Sequence, residues 1–189
     1  VSVAAVTACS DNIDDSDIYT FKGETITSYL EKSENFTDFA YILTRVKLSK
    51  RSESTVSQLL SARGNYTVFA PTNDAVQFYL DSIFQTKNYD ITQIPDSLAE
   101  FIARNAIIDC GDAAAYETTD FYIGTLERTN MDDRYITIDF DTLSGGRLAT
   151  IINNSALIVL PDVEVYNGFI HGVDEVLSLS RATVPALIE

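Results

Sequence analysis

The segment that most constrains this chain is residues 66–75, YTVFAPTNDA. Thr67, Val68, Phe69 and Ala70 are β-branched, aromatic or small, the composition of a buried strand. Pro71 has no N–H to give a ladder and closes that strand. Thr72 brings a side-chain oxygen that caps a helix, and Asp74 falls in the first turn, at the positive end of the dipole. Ala75, Val76, Tyr79, Leu80 and Ile83 then recur at helical spacing and give that helix one apolar face. The segment therefore specifies a buried strand, a hard stop and a capped helix. Such a unit organises a core and performs no chemistry by itself.

A second constraint is residues 167–177, NGFIHGVDEVL. Asn167-Gly168 is a two-residue hairpin signal between strands expected at 163–166 and 169–173. Along the rest of the chain the period changes. Helices are expected at 23–33, 36–46 and 56–60, with Gly64 as a stop. A loop is expected at 85–95, then a helix opened by a Ser97–Glu100 capping box with Leu98, Phe101 and Ile102 facing inward. From Phe121 onward the period is two: Ile136, Ile138 and Phe140 alternate with Tyr135, Thr137 and Asp139. Further strands are expected at 147–152 after the turn at 144–146, at 156–160 after Asn153-Asn154, and at 176–179. Helices crowd the first half and short strands the second. The class is α+β, a β-sandwich or curled sheet with helices packed at one end.

The residues Thr67-Val68-Phe69-Ala70-Pro71-Thr72-Asn73-Asp74-Ala75 and Asn167-Gly168-Phe169-Ile170-His171 closely resemble the two signature motifs of the fasciclin (FAS1) family. Asn154-Ser155-Ala156 is similar to a third, looser element, and the resemblance covers residues 23–181. It implies a seven-stranded β-sandwich wedge with a cluster of helices, mainly from the N-terminal half. It also implies an extracellular adhesion or protein-contact module with no catalytic machinery and no cofactor. Pro161-Asp162-Val163 stands where adhesion members of the family carry a Pro-Asp-Ile element that resembles an integrin contact. These three residues are the candidate partner-binding site, and the alternative is an ordinary strand-start Asp. Asn105-Ala106 replaces the family's Tyr-His, so adhesion attributed to that pair does not carry over.

Charge narrows the partners. Lys and Arg total 13 against 28 Asp and Glu, a net charge of −15, which repels phosphate backbones and anionic headgroups. Nucleic acid is therefore not expected as a partner. No apolar run reaches the roughly 18 residues that span a bilayer. Membrane association is expected only through the start of the chain. Residues 1–8, VSVAAVTA, run into Cys9, and Val6-Thr7-Ala8-Cys9 resembles a bacterial lipobox with Cys9 as the lipidated residue. The other reading of 1–8 is a short buried strand. Residues 10–17, SDNIDDSD, then form an acidic tether. It is similar to a surface-export signal of Bacteroidetes-type lipoproteins, or else a solvated linker. The expected organisation is a signal-peptide remnant at 1–8, lipidated Cys9 and tether at 9–22, the fasciclin domain at 23–181, and 182–189 beyond it. Residues 183–189, TVPALIE, echo 25–31, TITSYLE, and read as a linker or the start of a second copy. On this reading the domain lies at the bacterial outer membrane, exposed at the surface or facing the periplasm.

An enzyme reading finds little material. His171 is the only histidine, Ser144 sits in LSGG and not in a nucleophile elbow, and there is no CxxC. A Cys110–His171 dyad stands against a buried thiol and a hydrogen-bonded core imidazole. Asp139 and Asp141 begin like a calcium loop, but Ser144 stands where an EF-hand needs Gly. No metal site, cofactor or catalytic residue is expected. Two functions remain: a surface adhesion module that binds a protein, or a glycan-binding or transporter-associated accessory lipoprotein of a nutrient-uptake system. Exposed Tyr116, Tyr122 and Tyr135 would favour the second, by stacking on sugar rings.

Overall fold

A computed structural model describes residues 23–178 apart from 144, 145 and 147. Five helices, α1 (Ile26–Lys32), α2 (Thr37–Arg45), α3 (Val56–Ser61), α4 (Asn73–Phe84) and α5 (Asp96–Asn105), precede every strand but the first. The strands are β1 (Tyr66–Pro71), β2 (Ile107–Asp109), β3 (Gly124–Thr129), β4 (Tyr135–Thr142), β5 (Leu148–Ile152), β6 (Ala156–Val165) and β7 (Gly168–Val173). They form one seven-stranded sheet in the order β2-β1-β7-β6-β5-β4-β3. Only β1 and β7 pair in parallel; every other neighbour is antiparallel.

Two apolar clusters explain the architecture. The first joins the helices to one face of the central strands: Phe39, Ile42 and Leu43 of α2 and Ile102 of α5 pack with Val68, Ala70, Ile107 and Ile170. The second lies inside the sheet. Phe69, Ile108, Cys110 and Val173 meet Leu126, Ile136, Ile138 and Ile152, so the two halves of the sheet face one another. Curling is what lets a single sheet bury its second face without a second layer of helices. It also explains why β1 is buried at all six positions: Tyr66, Val68 and Ala70 belong to the helical cluster, and Phe69 to the inner one.

Several expectations change in detail. Ser97 and Glu100 form no capping box; Pro95 is the N-cap residue of α5, and Glu100 pairs instead with Arg104 one turn on. Residues 118–120 form a short 3₁₀ turn, so β3 begins only at Gly124, and β2 is a strand the alternation did not announce. The strands expected at 156–160 and 163–166 are one strand, β6, with register shifts on either side of Leu160. The last strand expected, at 176–179, is absent over its described part: β7 ends at Val173, and Val176 and Leu177 are buried outside the sheet. Ile83 points out, 45 % exposed; the buried residues of α4 are Ala75, Val76 and Leu80. Residues 1–22 and 179–189, with Cys9, the tether and the echo at 183–189, lie outside the described residues.

Candidate partner-binding site

The two signature segments meet as the parallel central pair, with Tyr66 opposite Gly168, Phe69 opposite His171 and Pro71 opposite Val173. Gly168 has φ +145°, and a Cβ there would lie 1.8 Å from the carbonyl oxygen of Tyr66. The position is closed to every other residue, on sterics and on backbone conformation. Asn167 is fully buried. Its Oδ1 accepts the Ile26 N–H at the start of α1 at 2.9 Å, and its Nδ2 donates to the carbonyls of Leu60 and Ala62 at the end of α3. Asn73 does the same for α2, whose N-cap residue Phe36 makes no side-chain cap. The Asn73 Oδ1 accepts the Asp38 N–H at 3.0 Å, and its Nδ2 donates to the Glu34 carbonyl and the Thr37 hydroxyl. Each motif therefore lends an asparagine to a helix remote in sequence, satisfying orphan groups at its end. Thr72 caps α4 locally through the Ala75 N–H, and Asp74 lies in its first turn.

Thr67 and His171 act on a different element, the connection leading to β3. The Thr67 hydroxyl accepts the Tyr116 N–H at 2.8 Å, and His171 Nε2 donates to the Tyr116 carbonyl at 3.0 Å. One residue, Tyr116, is thus clamped through both its backbone groups from the two central strands. The imidazole lies between Phe69 and Phe121, with centroids 5.5 and 5.3 Å away. Its Nδ1 accepts the Asp162 N–H at 3.2 Å. With one nitrogen accepting from an N–H and the other donating to a carbonyl, the ring is neutral. Burial pushes its pKa down, against smaller opposing pulls from the Tyr116 carbonyl and the Asp162 carboxylate. Cys110 is a buried free thiol 3.7 Å from the Thr67 hydroxyl, and burial pushes its pKa up. Both ring nitrogens of His171 are committed elsewhere and the thiol is held protonated, so the two do not form a nucleophilic dyad.

Pro161-Asp162-Val163 occupies the kink of β6. Asp162 adopts φ +54°, in the left-handed region that Asp tolerates better than most residues. Its carboxylate accepts the Thr118 N–H at 2.7 Å and the Thr118 hydroxyl as well. The side chain is therefore a brace between β6 and the 118–120 turn, with Pro161 and Asp162 exposed and Val163 half-buried opposite Ile170. The replacement at Asn105-Ala106 is also resolved. Asn105 is buried, donates to the Phe101 carbonyl and accepts from Asn130, which fixes the turn into β4.

Beside Pro161 the sheet opens. Leu143, Leu148, Ala149, Leu157, Ile158, Val159 and Pro161 line an apolar groove of about 350 Å³. Leu148 is 65 % exposed and Val159 54 % exposed at its rim. The composition of β6 carries the signal for this: Leu157, Ile158, Val159 and Leu160 are consecutive aliphatics, which a strand with one solvated face does not bury together. Among the described residues no group of three or more His, Cys, Asp or Glu side chains is placed to hold a metal, and no helix is long and apolar enough to cross a membrane.

These features agree with comparison to known proteins. None of the curated proteins compared with the chain matches it. The fold is similar to that of a FAS1 domain pair from the insect cell adhesion molecule fasciclin I, with 20 % identity and a TM-score of 0.56. The match covers 82 % of this chain and 50 % of that one, so this chain spans about half the length of the solved protein. The fasciclin domain family model matches residues 34–179, a span that contains both clamped central strands. By that match the chain belongs to the fasciclin domain family.

Proposed function

We propose that this chain is a non-enzymatic cell-surface adhesion or protein-interaction module, tethered to the bacterial outer membrane through lipid on Cys9. The observation that carries the interaction reading is the exposed apolar groove beside Pro161, on a strand whose kink is braced by Asp162 and His171. A contact surface held this rigidly loses little freedom on binding. The buried polar groups of the signature motifs are committed to the fold, so nothing among them is left to perform catalysis. The tether reading rests on the lipobox-like Val6-Thr7-Ala8-Cys9 and the acidic stretch after it. The alternative is a glycan-binding or transporter-associated accessory lipoprotein. It draws on Tyr122 and Tyr135, which are 49 % and 54 % exposed, as residues able to stack on a sugar ring.

The test is retention of surface and matrix extracts on the immobilised 189-residue chain, with extracts pretreated by protease or by periodate. Protein adhesion predicts loss of retention after protease alone, and weaker retention by the Asp162→Ala variant. Loss after periodate alone, together with loss in Tyr122→Ala and Tyr135→Ala, would move the assignment to a carbohydrate receptor. Incorporation of a labelled fatty acid that persists in Cys9→Ala would refute the anchor.

A further inference from the structure

We propose that the gap between β5 and β6 is a strand-accepting groove, and that its occupant is an extended peptide of a partner protein with alternating aliphatic and basic side chains. The proposal rests on the interaction reading above and gives it a ligand class.

The ladder between β5 and β6 has two pairs, Ile151 opposite Leu157 and Ile152 opposite Ala156, both next to the Asn153-Asn154 turn. Away from that turn the strands part company. β5 continues back to Leu148 against β4 alone, and β6 continues to Val165 against β7 alone. Among the described residues, 148–150 and 158–160 therefore face each other across the groove as strand edges with a neighbour on one side only. An open strand edge is a template for another strand, and natural proteins blunt such edges unless they are used. These edges carry Leu148, Val159 and Leu160, all exposed aliphatics, with no Lys or inward charge among residues 148–150 and 158–160, and the register shifts on either side of Leu160 confine the template to these few residues. Pro161, which cannot donate, and the Asp162 kink end the template on the β6 side.

The charge of the occupant follows from β4. Asp139 is opposite Ile151 and Asp141 is opposite Ala149, which lines the groove. Residues directly opposite in an antiparallel pair share a face, so both exposed carboxylates stand on the face of Ala149. Each accepts only the N–H of the following residue, and neither has an ion-pair partner among the described residues. A strand with basic residues at every second position sets its charges on the face of these acids and its aliphatics on the opposite face, beside Leu148. A second copy of this chain is disfavoured as occupant because each copy carries −15.

The probe is an eight-residue peptide of alternating Lys and Val, titrated with the 189-residue chain by fluorescence anisotropy. Two controls have the same charge: a block peptide with four Lys before four Val, and an alternating peptide with a central Pro. The proposal predicts saturable binding of the alternating peptide, at least about tenfold weaker for both controls. Leu148→Lys and Val159→Lys, which blunt the edge and repel a basic strand, should each abolish binding while leaving the thermal midpoint unchanged, which excludes unfolding as the cause. Asp139→Asn with Asp141→Asn should weaken binding and flatten its salt dependence. Equal affinity for all three peptides would overturn the proposal, since charge alone would then suffice. So would concentration-dependent dimerisation of the chain that Val159→Lys removes, because the groove would then hold a second copy. If the peptide fails to bind but extract proteins are still retained, the groove assignment falls and the interaction module stands. If neither is retained, both fall.

Discussion

The parallel pair β1–β7 and the parted strands β5–β6 belong to one sheet and have opposite chemistry. Along β1–β7, Thr67, Asn167 and His171 are fully buried and each holds a remote segment in place. Where β5 and β6 part, Leu148, Val159 and Leu160 are exposed aliphatics, and the ladder stops after two pairs. The first region is over-determined and the second is left incomplete. Buried polar networks of this kind fix one arrangement because every alternative leaves a donor or acceptor unsatisfied. The contrast separates what makes the domain fold from what makes it bind, and the signature motifs belong to the fold.

The sharpest way to break this contrast is at Gly168. Gly168→Ala drives a Cβ into the Tyr66 carbonyl, and the expected loss exceeds about 4 kcal/mol. Urea unfolding should find the variant unfolded or nearly so; near wild-type stability would show that the strands can slide apart. Asn167→Ala comes next. It orphans the Ile26 N–H and the Leu60 and Ala62 carbonyls, for an expected loss of about 3 kcal/mol. Asn73→Ala removes only the borrowed cap of α2, and about 1–2 kcal/mol should be lost in the same assay.

The pH dependence sharpens the comparison further. His171 is held neutral, so its pKa in the fold lies below the ordinary imidazole value of about 6.5. As pH falls below that value the unfolded chain binds a proton and the folded chain does not. The contribution of His171 is therefore complete above about pH 6.5 and is lost progressively as pH falls toward the folded-state pKa. The neighbouring charge is Asp162, whose carboxylate lies 3.8 Å from Nδ1 and opposes the effect in part. Denaturation midpoints measured across this range should slope for the wild type and lie flat for His171→Asn. Parallel slopes would mean that another group is responsible. The smallest expected effect lies in the other region. Leu148→Lys or Val159→Lys should change stability by no more than about 0.5 kcal/mol, because both side chains are already in water.

The same contrast governs what the sequence could reveal. β1, the Pro71 stop and the cap at Thr72 were legible because each depends on neighbours in the chain. The seven-stranded wedge with its helices followed from the resemblance, and its curled sheet bears this out. The roles of Asn73 and Asn167 were not legible, since each caps a helix that adjacent residues do not identify. Asp162 read either as an exposed contact or as an ordinary strand-start Asp, while its bond to Thr118 is a tertiary fact with no local signature. Val176 and Leu177 have strand composition but enter no ladder; Val176 packs in the helical cluster and Leu177 in the inner one. The groove was half visible. Four consecutive aliphatics in β6 break the period of two, but that β5 parts from them is decided by pairing.

Amide hydrogen exchange on the full chain, alone and with the alternating Lys–Val peptide, tests the central claim most directly. Ladder amides of β1 and β7 should exchange only through global unfolding, and the gap-facing amides of residues 148–150 and 158–160 orders of magnitude faster. The peptide should slow exchange at those edge residues and leave β1 and β7 unchanged. Edge amides as protected as those of β1 before any peptide is added would contradict the account, because the sheet would then be closed where it is claimed to be open.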